Sequence, residues 1–149
     1  VSMLVHEGGV LQVSDKMLST TTDANDHLML KSTPDDSTEA VRWIMDSAGR
    51  LHPVATPWQC LTPADGRLAL AGCNSQQAQS WKYDPDTGQL KNAASGKCVD
   101  YAYDSGGVVL YRCHGKWNQQ WQGVARTGQR MASVFDGAAL RMVYERLLE

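Results

Sequence analysis

A chain of 149 residues with 42% hydrophobic and 20% charged side chains can bury one core, and it carries too few charges to be a disordered segment. Its formal net charge of −2 gives no electrostatic reason to expect nucleic acid or an anionic membrane surface as partner. No apolar run approaches the roughly 20 residues of a membrane-spanning helix, so direct membrane insertion by this domain is not expected.

Short apolar runs separated by Gly, Pro and Asp/Asn clusters follow one another along the chain, as in an all-β protein. In chain order, Lys16–Ser19 and His27–Ser32 are the first predicted strands, with Thr33–Glu39 as a long loop. Leu51–Ala55, Gln59–Thr62, Leu68–Cys73 and Gln79–Tyr83 come next, with a turn at Ala64-Asp65-Gly66. Gln89–Ala94, Lys97–Tyr101, Val108–Cys113 and Gln119–Gly123 follow, with a turn at Asp104-Ser105-Gly106-Gly107. Ala138–Arg146 fits either a short helix or one more strand.

Trp43, Trp81 and Trp121 recur through this series 38 and 40 residues apart. Gln79-Ser80-Trp81 and Gln119-Gln120-Trp121 share the pattern Gln-x-Trp, and Val41-Arg42-Trp43 is a worn copy. A period near 40 marks three copies of one unit that cannot bury its apolar face alone. The expected domain is therefore single and pseudo-threefold, with repeats at about 9–46, 47–86 and 87–125 and a C-terminal extension over 126–149. The tryptophans are expected in the common core, each preceding Gln bonding backbone at a turn.

Cys73 and Cys113 each lie eight residues before the Trp of their copy. Four cysteines allow three connectivities, and equivalence within the repeat favours Cys60–Cys73 and Cys98–Cys113. A zinc site is the rival reading, but no Cys-x-x-Cys pair is present. Two disulfides point to a secreted or periplasmic protein, and a secreted one is expected. With no initiator Met and no signal-peptide pattern, the chain is expected to be part of a longer one, and Leu148-Glu149 is set aside.

The third copy carries the most specific phrases: Lys97-Cys98-Val99-Asp100, then Val108-Val109-Leu110-Tyr111-Arg112-Cys113-His114-Gly115, then Asn118-Gln119-Gln120-Trp121. Over about residues 9 to 125 the chain resembles the ricin-type β-trefoil lectins. The resemblance implies a β-trefoil fold and a shallow sugar pocket in each intact repeat, preferring galactose or N-acetylgalactosamine.

Carried over residue by residue, it has Asp100 accept from two neighbouring sugar hydroxyls and Tyr111 stack on the C–H face of the pyranose. Asn118 bonds another hydroxyl, Gln119 supports Asp100 or the sugar, and His114 lies on the rim. Trp117 is a further rim candidate, whereas Tyr101 and Tyr103 are expected to pack. Val109 departs from the family, which often has Gln there. Thr62 and Ser19 replace Asp100 in the other copies, and Leu70 or Ala71 and Lys31 replace the aromatic, so one site is expected, in the third repeat.

A sugar offers hydroxyls around a ring with one apolar face, which a carboxylate, amides and an aromatic platform match. The leading expectation is a non-catalytic carbohydrate-binding module taking a larger secreted protein, a bacterial cytolysin or hemolysin, to cell-surface glycans. A glycosidase module and a protein-interaction trefoil with a vestigial site are the alternatives. No phosphate loop, Ser-His-Asp set or metal-ligand spacing is present, so no cofactor, metal or enzyme activity is expected. Thr22–Asp26 lacks the Gly and Glu of a calcium loop.

Overall fold

The computed structural model describes residues 8–32 and 41–127. The predicted loop Thr33–Glu39, the segment Ala138–Arg146 and most of the C-terminal extension lie outside them. Eleven strands run in chain order: β1 (Gln12–Val13), β2 (Lys16–Thr22), β3 (Leu28–Ser32), β4 (Trp43–Met45), β5 (Leu51–Pro53), β6 (Gln59–Ala64), β7 (Arg67–Gly72), β8 (Trp81–Tyr83), β9 (Leu90–Asn92), β10 (Cys98–Ala102) and β11 (Gly107–Tyr111). Among the described residues no helix is long and apolar enough to cross a membrane.

Each unit contributes one hairpin, β2–β3, β6–β7 or β10–β11, and β3, β7 and β11 touch one another pairwise as a triangular cap. Consecutive units are joined by the antiparallel pairs β4–β5 and β8–β9. The third joint closes the ring through Gln12 and Gln122, whose backbones exchange bonds of 3.0 and 2.8 Å. This is a β-trefoil.

The pseudo-threefold symmetry extends to single atoms. The indole Nε1 groups of Trp43, Trp81 and Trp121 donate to the carbonyls of Leu18, Leu61 and Val99. Their backbone N–H groups donate to the carbonyls of Gly9, Gly49 and Gly88, each at 2.8 Å. The equivalent triples Leu11/Leu51/Leu90, Leu18/Leu61/Val99 and Leu28/Leu68/Val108 are fully buried around the rings. Every unit thus places the same few side chains at the axis, and none has a core without the other two. At the closure, Gly9 and Gly123 (φ +86°) lie so close that a Cβ on either would run into backbone of the other strand.

The predicted strands are found with shifted ends, with one correction. Gln79 and Gln119 do not begin strands; they end 3-10 turns, Gln77–Gln79 and Trp117–Gln119. Of the predicted strand Gln119–Gly123 only Gln122 makes a ladder contact, an isolated bridge. The side chain of each Gln holds the backbone of its own loop, and this overrides extended pairing.

Cys60–Cys73 and Cys98–Cys113 are bonded, closing separations of 13 and 15 residues. Met17, at the equivalent position in the first unit, is buried instead. His52 Nδ1 lies 3.5 to 3.6 Å from both sulfurs of the first bridge, but sulfurs bonded to each other are not thiolate ligands, so this group does not hold a metal. Replacing Cys98 and Cys113 together by Ala should cost on the order of 3 kcal/mol, the chain-entropy value for a loop of this length. Urea unfolding of the variant and of the oxidised parent measures the difference.

Asp23, in the segment compared with a calcium loop, accepts the backbone N–H groups of Asn25 and His27 through Oδ1. Those N–H groups, His27 first, hold its carboxyl below the ordinary 3.8. The segment is a self-capped turn.

Tyr83 donates its hydroxyl to the carbonyl of Trp121 at 2.7 Å, fastening the second unit to the third. Burial raises this hydroxyl above its ordinary 10.0. A folded pKa above the unfolded one means that the unfolded chain loses the proton first, so stability is full below pH 10 and falls as pH rises past it. Tyr83→Phe should be less stable at neutral pH by about 1 kcal/mol and should show a smaller loss above pH 10, as read by denaturant titrations at both pH values.

Candidate functional site

Asp100 is the central residue of β10 and pairs with Val109 across the hairpin, while Cys98 pairs with Tyr111. It is 4% exposed, so its carboxylate needs partners, and three side chains supply them. Asn118 Nδ2 donates to Oδ1 at 3.1 Å and Gln119 Nε2 donates to Oδ2 at 2.8 Å. His114 Nε2 lies 3.4 Å from Oδ2. The backbone N–H of Lys116 donates to His114 Nδ1 at 3.0 Å, so the neutral ring carries its proton on Nε2, facing the carboxylate.

A hydrogen-bond inventory assigns these residues different roles. Both Nε2 protons of Gln119 are used, on Asp100 and on the carbonyl of Arg112, and its Oε1 accepts from His114 N and Gly115 N. With no capacity left and no exposed surface, Gln119 positions Asp100. Asn118 Nδ2 is likewise spent, on Asp100 and on the carbonyl of Tyr101. Both partners are acceptors, which fixes the amide orientation and leaves Asn118 Oδ1 as an acceptor. A carboxylate has about four acceptor sites, so after Asn118, Gln119 and His114 Asp100 retains about one position for an outside donor.

The sequence-predicted residues therefore come together, with Tyr111 and Trp117 as flanking exposed rings at 47% and 49%. Arg112 Cζ lies 5.5 Å from the Tyr111 ring centroid, and the His114 ring meets Tyr111 edge-on at 6.0 Å. Tyr101 is half-buried against the core, as expected of a packing residue. Tyr103 is not: it lies beyond the end of β10 and is 61% exposed. The turn residues after it carried that signal, because a chain entering Asp104-Ser105-Gly106 has left the sheet.

The other units keep the scaffold without the chemistry. Gln79 binds Asn74 N, the carbonyl of Gly72 and Thr62 Oγ1, so Thr62 occupies the place of the carboxylate. The register pairs Ala71 with Cys60, which makes Ala71 the counterpart of Tyr111, and Ala78 stands for Asn118. In the first unit Ser19 donates to the carbonyl of Met29, Lys31 pairs with Met17, and Val41 replaces the Gln. A groove of about 880 Å³ runs between the first two units along Thr22, Val54, Thr56 and Gln59. No aromatic ring lines it, so it offers a pyranose no platform.

Three related β units around one axis, with a nested carboxylate beside exposed rings in one of them, define the trefoil class of lectins. The chain belongs to the ricin-type beta-trefoil lectin domain family, whose model matches residues 7–121 and again 49–145. Over 67 residues it is 31% identical to N-acetylgalactosaminyltransferase 7 of Rattus norvegicus, a match covering 43% of this chain and 10% of that protein. The β-trefoil lectin of the Vibrio vulnificus hemolysin/cytolysin, solved with N-acetyl-D-lactosamine bound, superposes with a TM-score of 0.59 at 18% identity, over 79% of this chain and 94% of that one. A non-toxic homologue of type II RIPs from Momordica charantia, in complex with alpha-methyl-D-galactoside, gives 0.65 at 19% identity, over 78% and 47%. The chain thus spans about a tenth of the transferase and about half of the Momordica protein. Its fold is theirs, and the domain is of a carbohydrate-binding family.

Proposed function

We propose that this domain is a one-site lectin that binds galactose- or N-acetylgalactosamine-type glycans through its third repeat. The observation that carries this reading is the Asp100 carboxylate, held by Asn118, Gln119 and His114 in that repeat and replaced by Thr62 and Ser19 in the others. Asp100 and Asn118 Oδ1 accept sugar hydroxyls, Tyr111 stacks on the C–H face, His114 and Trp117 line the rim, and Gln119 keeps the carboxylate in place. The galactoside and N-acetyl-D-lactosamine held by two structural neighbours support this choice of sugar.

A shallow site with a few such bonds, each contributing about 1–3 kcal/mol net, should hold a monosaccharide at about millimolar strength, near −4 kcal/mol. Function at that strength needs multiplicity, because linked copies raise avidity by orders of magnitude. We accordingly place the domain in a larger secreted protein that it carries to cell-surface glycans. The hemolysin/cytolysin neighbour favours a bacterial toxin as that parent, and the two disulfides fit an oxidising compartment. The test is a glycan array probed with the domain displayed multivalently. Binding to terminal galactose or N-acetylgalactosamine is the expected result. Silence across the array would overturn the reading and direct the search to protein partners.

A further inference from the structure

The third unit exposes more aromatic surface than a single sugar residue needs. Among the described residues Tyr103, Tyr111 and Trp117 are three of the five exposed large hydrophobic side chains, and all belong to this unit. Tyr103 and Trp117 lie together, centroids 5.2 Å apart and planes tilted by 35°. Tyr101 meets Trp117 edge-on at 5.9 Å and 84°, with its own body packed on the core. The Trp117 ring is thus supported from below and from one side while about half its surface faces solvent. Exposing a contiguous aromatic patch is unfavourable unless something covers it.

The position of the patch identifies its occupant. Asp100 is the midpoint of β10, roughly 7 Å along the strand from Cys98 on one side and from Ala102 on the other. Tyr111 stands opposite Cys98, and Tyr103 follows Ala102, so the two aromatic surfaces flank the carboxylate along the strand. Asn118 joins them: it follows Trp117 in the 3-10 turn, and its Nδ2 bonds both Asp100 Oδ1 and the carbonyl of Tyr101. A ligand residue held at Asp100 therefore has the Trp117 ring beside it, on the side away from Tyr111. A flat, ring-sized apolar surface continuous with a hydroxyl-binding site matches the C–H face of a second pyranose.

We propose that Tyr103 and Trp117 form a second sugar subsite, so that the preferred ligand is a glycan of at least two residues, the first at Asp100 and its neighbour stacked on Trp117. This rests on the reading of Asp100 as the primary site. The test titrates the intact domain by NMR with methyl galactoside, N-acetylgalactosamine and a panel of di- and trisaccharides ending in those sugars through different linkages. At least one oligosaccharide should bind on the order of tenfold more tightly than its terminal monosaccharide.

That ratio should fall to near one in Tyr103→Ala and in Trp117→Ala. It should persist in Trp58→Ala, which removes a 66% exposed tryptophan from the second unit. Thermal melts of each variant confirm that it is folded, and Trp117→Phe, which keeps a ring, should retain part of the gain. Monosaccharide binding without any oligosaccharide gain, or a gain that survives both Tyr103→Ala and Trp117→Ala, would overturn the second subsite and leave the primary site standing. Absence of binding to every sugar would overturn the primary site, and the second with it.

Discussion

Asp100→Thr should leave the domain folded and reduce glycan binding by at least about a hundredfold. Hydrogen bonds to a charged acceptor contribute about 1.5–3 kcal/mol each, and the carboxylate also orients the amide of Asn118, the second acceptor of the site. Threonine is the informative substitution because the molecule already contains its result: Thr62 in the second unit accepts from Gln79 in the way Asp100 accepts from Gln119. The Gln-centred loop therefore has a satisfied arrangement with a hydroxyl at that position, and only Asn118, whose counterpart is Ala78, loses a bond while keeping the one to the carbonyl of Tyr101. Asp100→Ala offers no acceptor and leaves the Gln119 and Asn118 amides short of a partner, at a further cost in stability of about 1–3 kcal/mol. Affinity and unfolding measured on both variants separate the two effects. Undiminished glycan binding by Asp100→Thr would place the sugar elsewhere.

Trp121→Ala should be the most destabilising single change in the third unit, by about 3–5 kcal/mol. The indole is 1% exposed, donates to the carbonyl of Val99 at 2.9 Å, and lies in the ring of equivalent tryptophans. Truncation leaves a cavity where three units meet, and no neighbour can close on it without disturbing the equivalent contacts of the others. For a domain of this size the loss corresponds to a fall in Tm on the order of 10 °C. Trp58→Ala, at 66% exposure, should stay within about 0.5 kcal/mol of the parent. Similar losses in the two variants, read from urea midpoints, would contradict the distinction between core and surface tryptophan.

The spacing of the tryptophans and the positions of the cysteines were sufficient to read the architecture, because both follow from the repeat. Symmetry forces equivalent residues to equivalent places whatever the loops do. The cluster that forms the candidate site was also legible, since Asp100, Tyr111, Asn118 and Gln119 have no matching set in the other copies. Their division of labour was not. Whether Gln119 touches a ligand depends on how its four hydrogen-bonding positions are filled, and that depends on the turn of His114 and Gly115 toward its Oε1. The 3-10 turn over Trp117–Gln119 was missed for the same reason, because it is the bonds of the Gln119 side chain to its own loop that keep Gln119 out of a strand. The exposure of Tyr103 was legible in the turn Asp104-Ser105-Gly106 that follows it, and its period-two spacing from Tyr101 was the wrong guide.

The closure of the ring by Gly9, Gln12, Gln122 and Gly123 bears on how the domain is made. The first strand waits for a partner about 110 residues downstream, so an emerging chain cannot complete its barrel until the third repeat has left the ribosome. Until then the apolar faces of the first two repeats are open, and the two cysteines of the second are free to meet the wrong sulfur. Order of synthesis therefore favours a bridge that closes early and locally, and Cys60–Cys73 spans only 13 residues. A circularly permuted chain opened at the Asp46–Arg50 turn would move the late closure to the β4–β5 joint. Its refolding rate, compared with that of the natural order, would show whether the Gly9–Gly123 joint is the slower one to close.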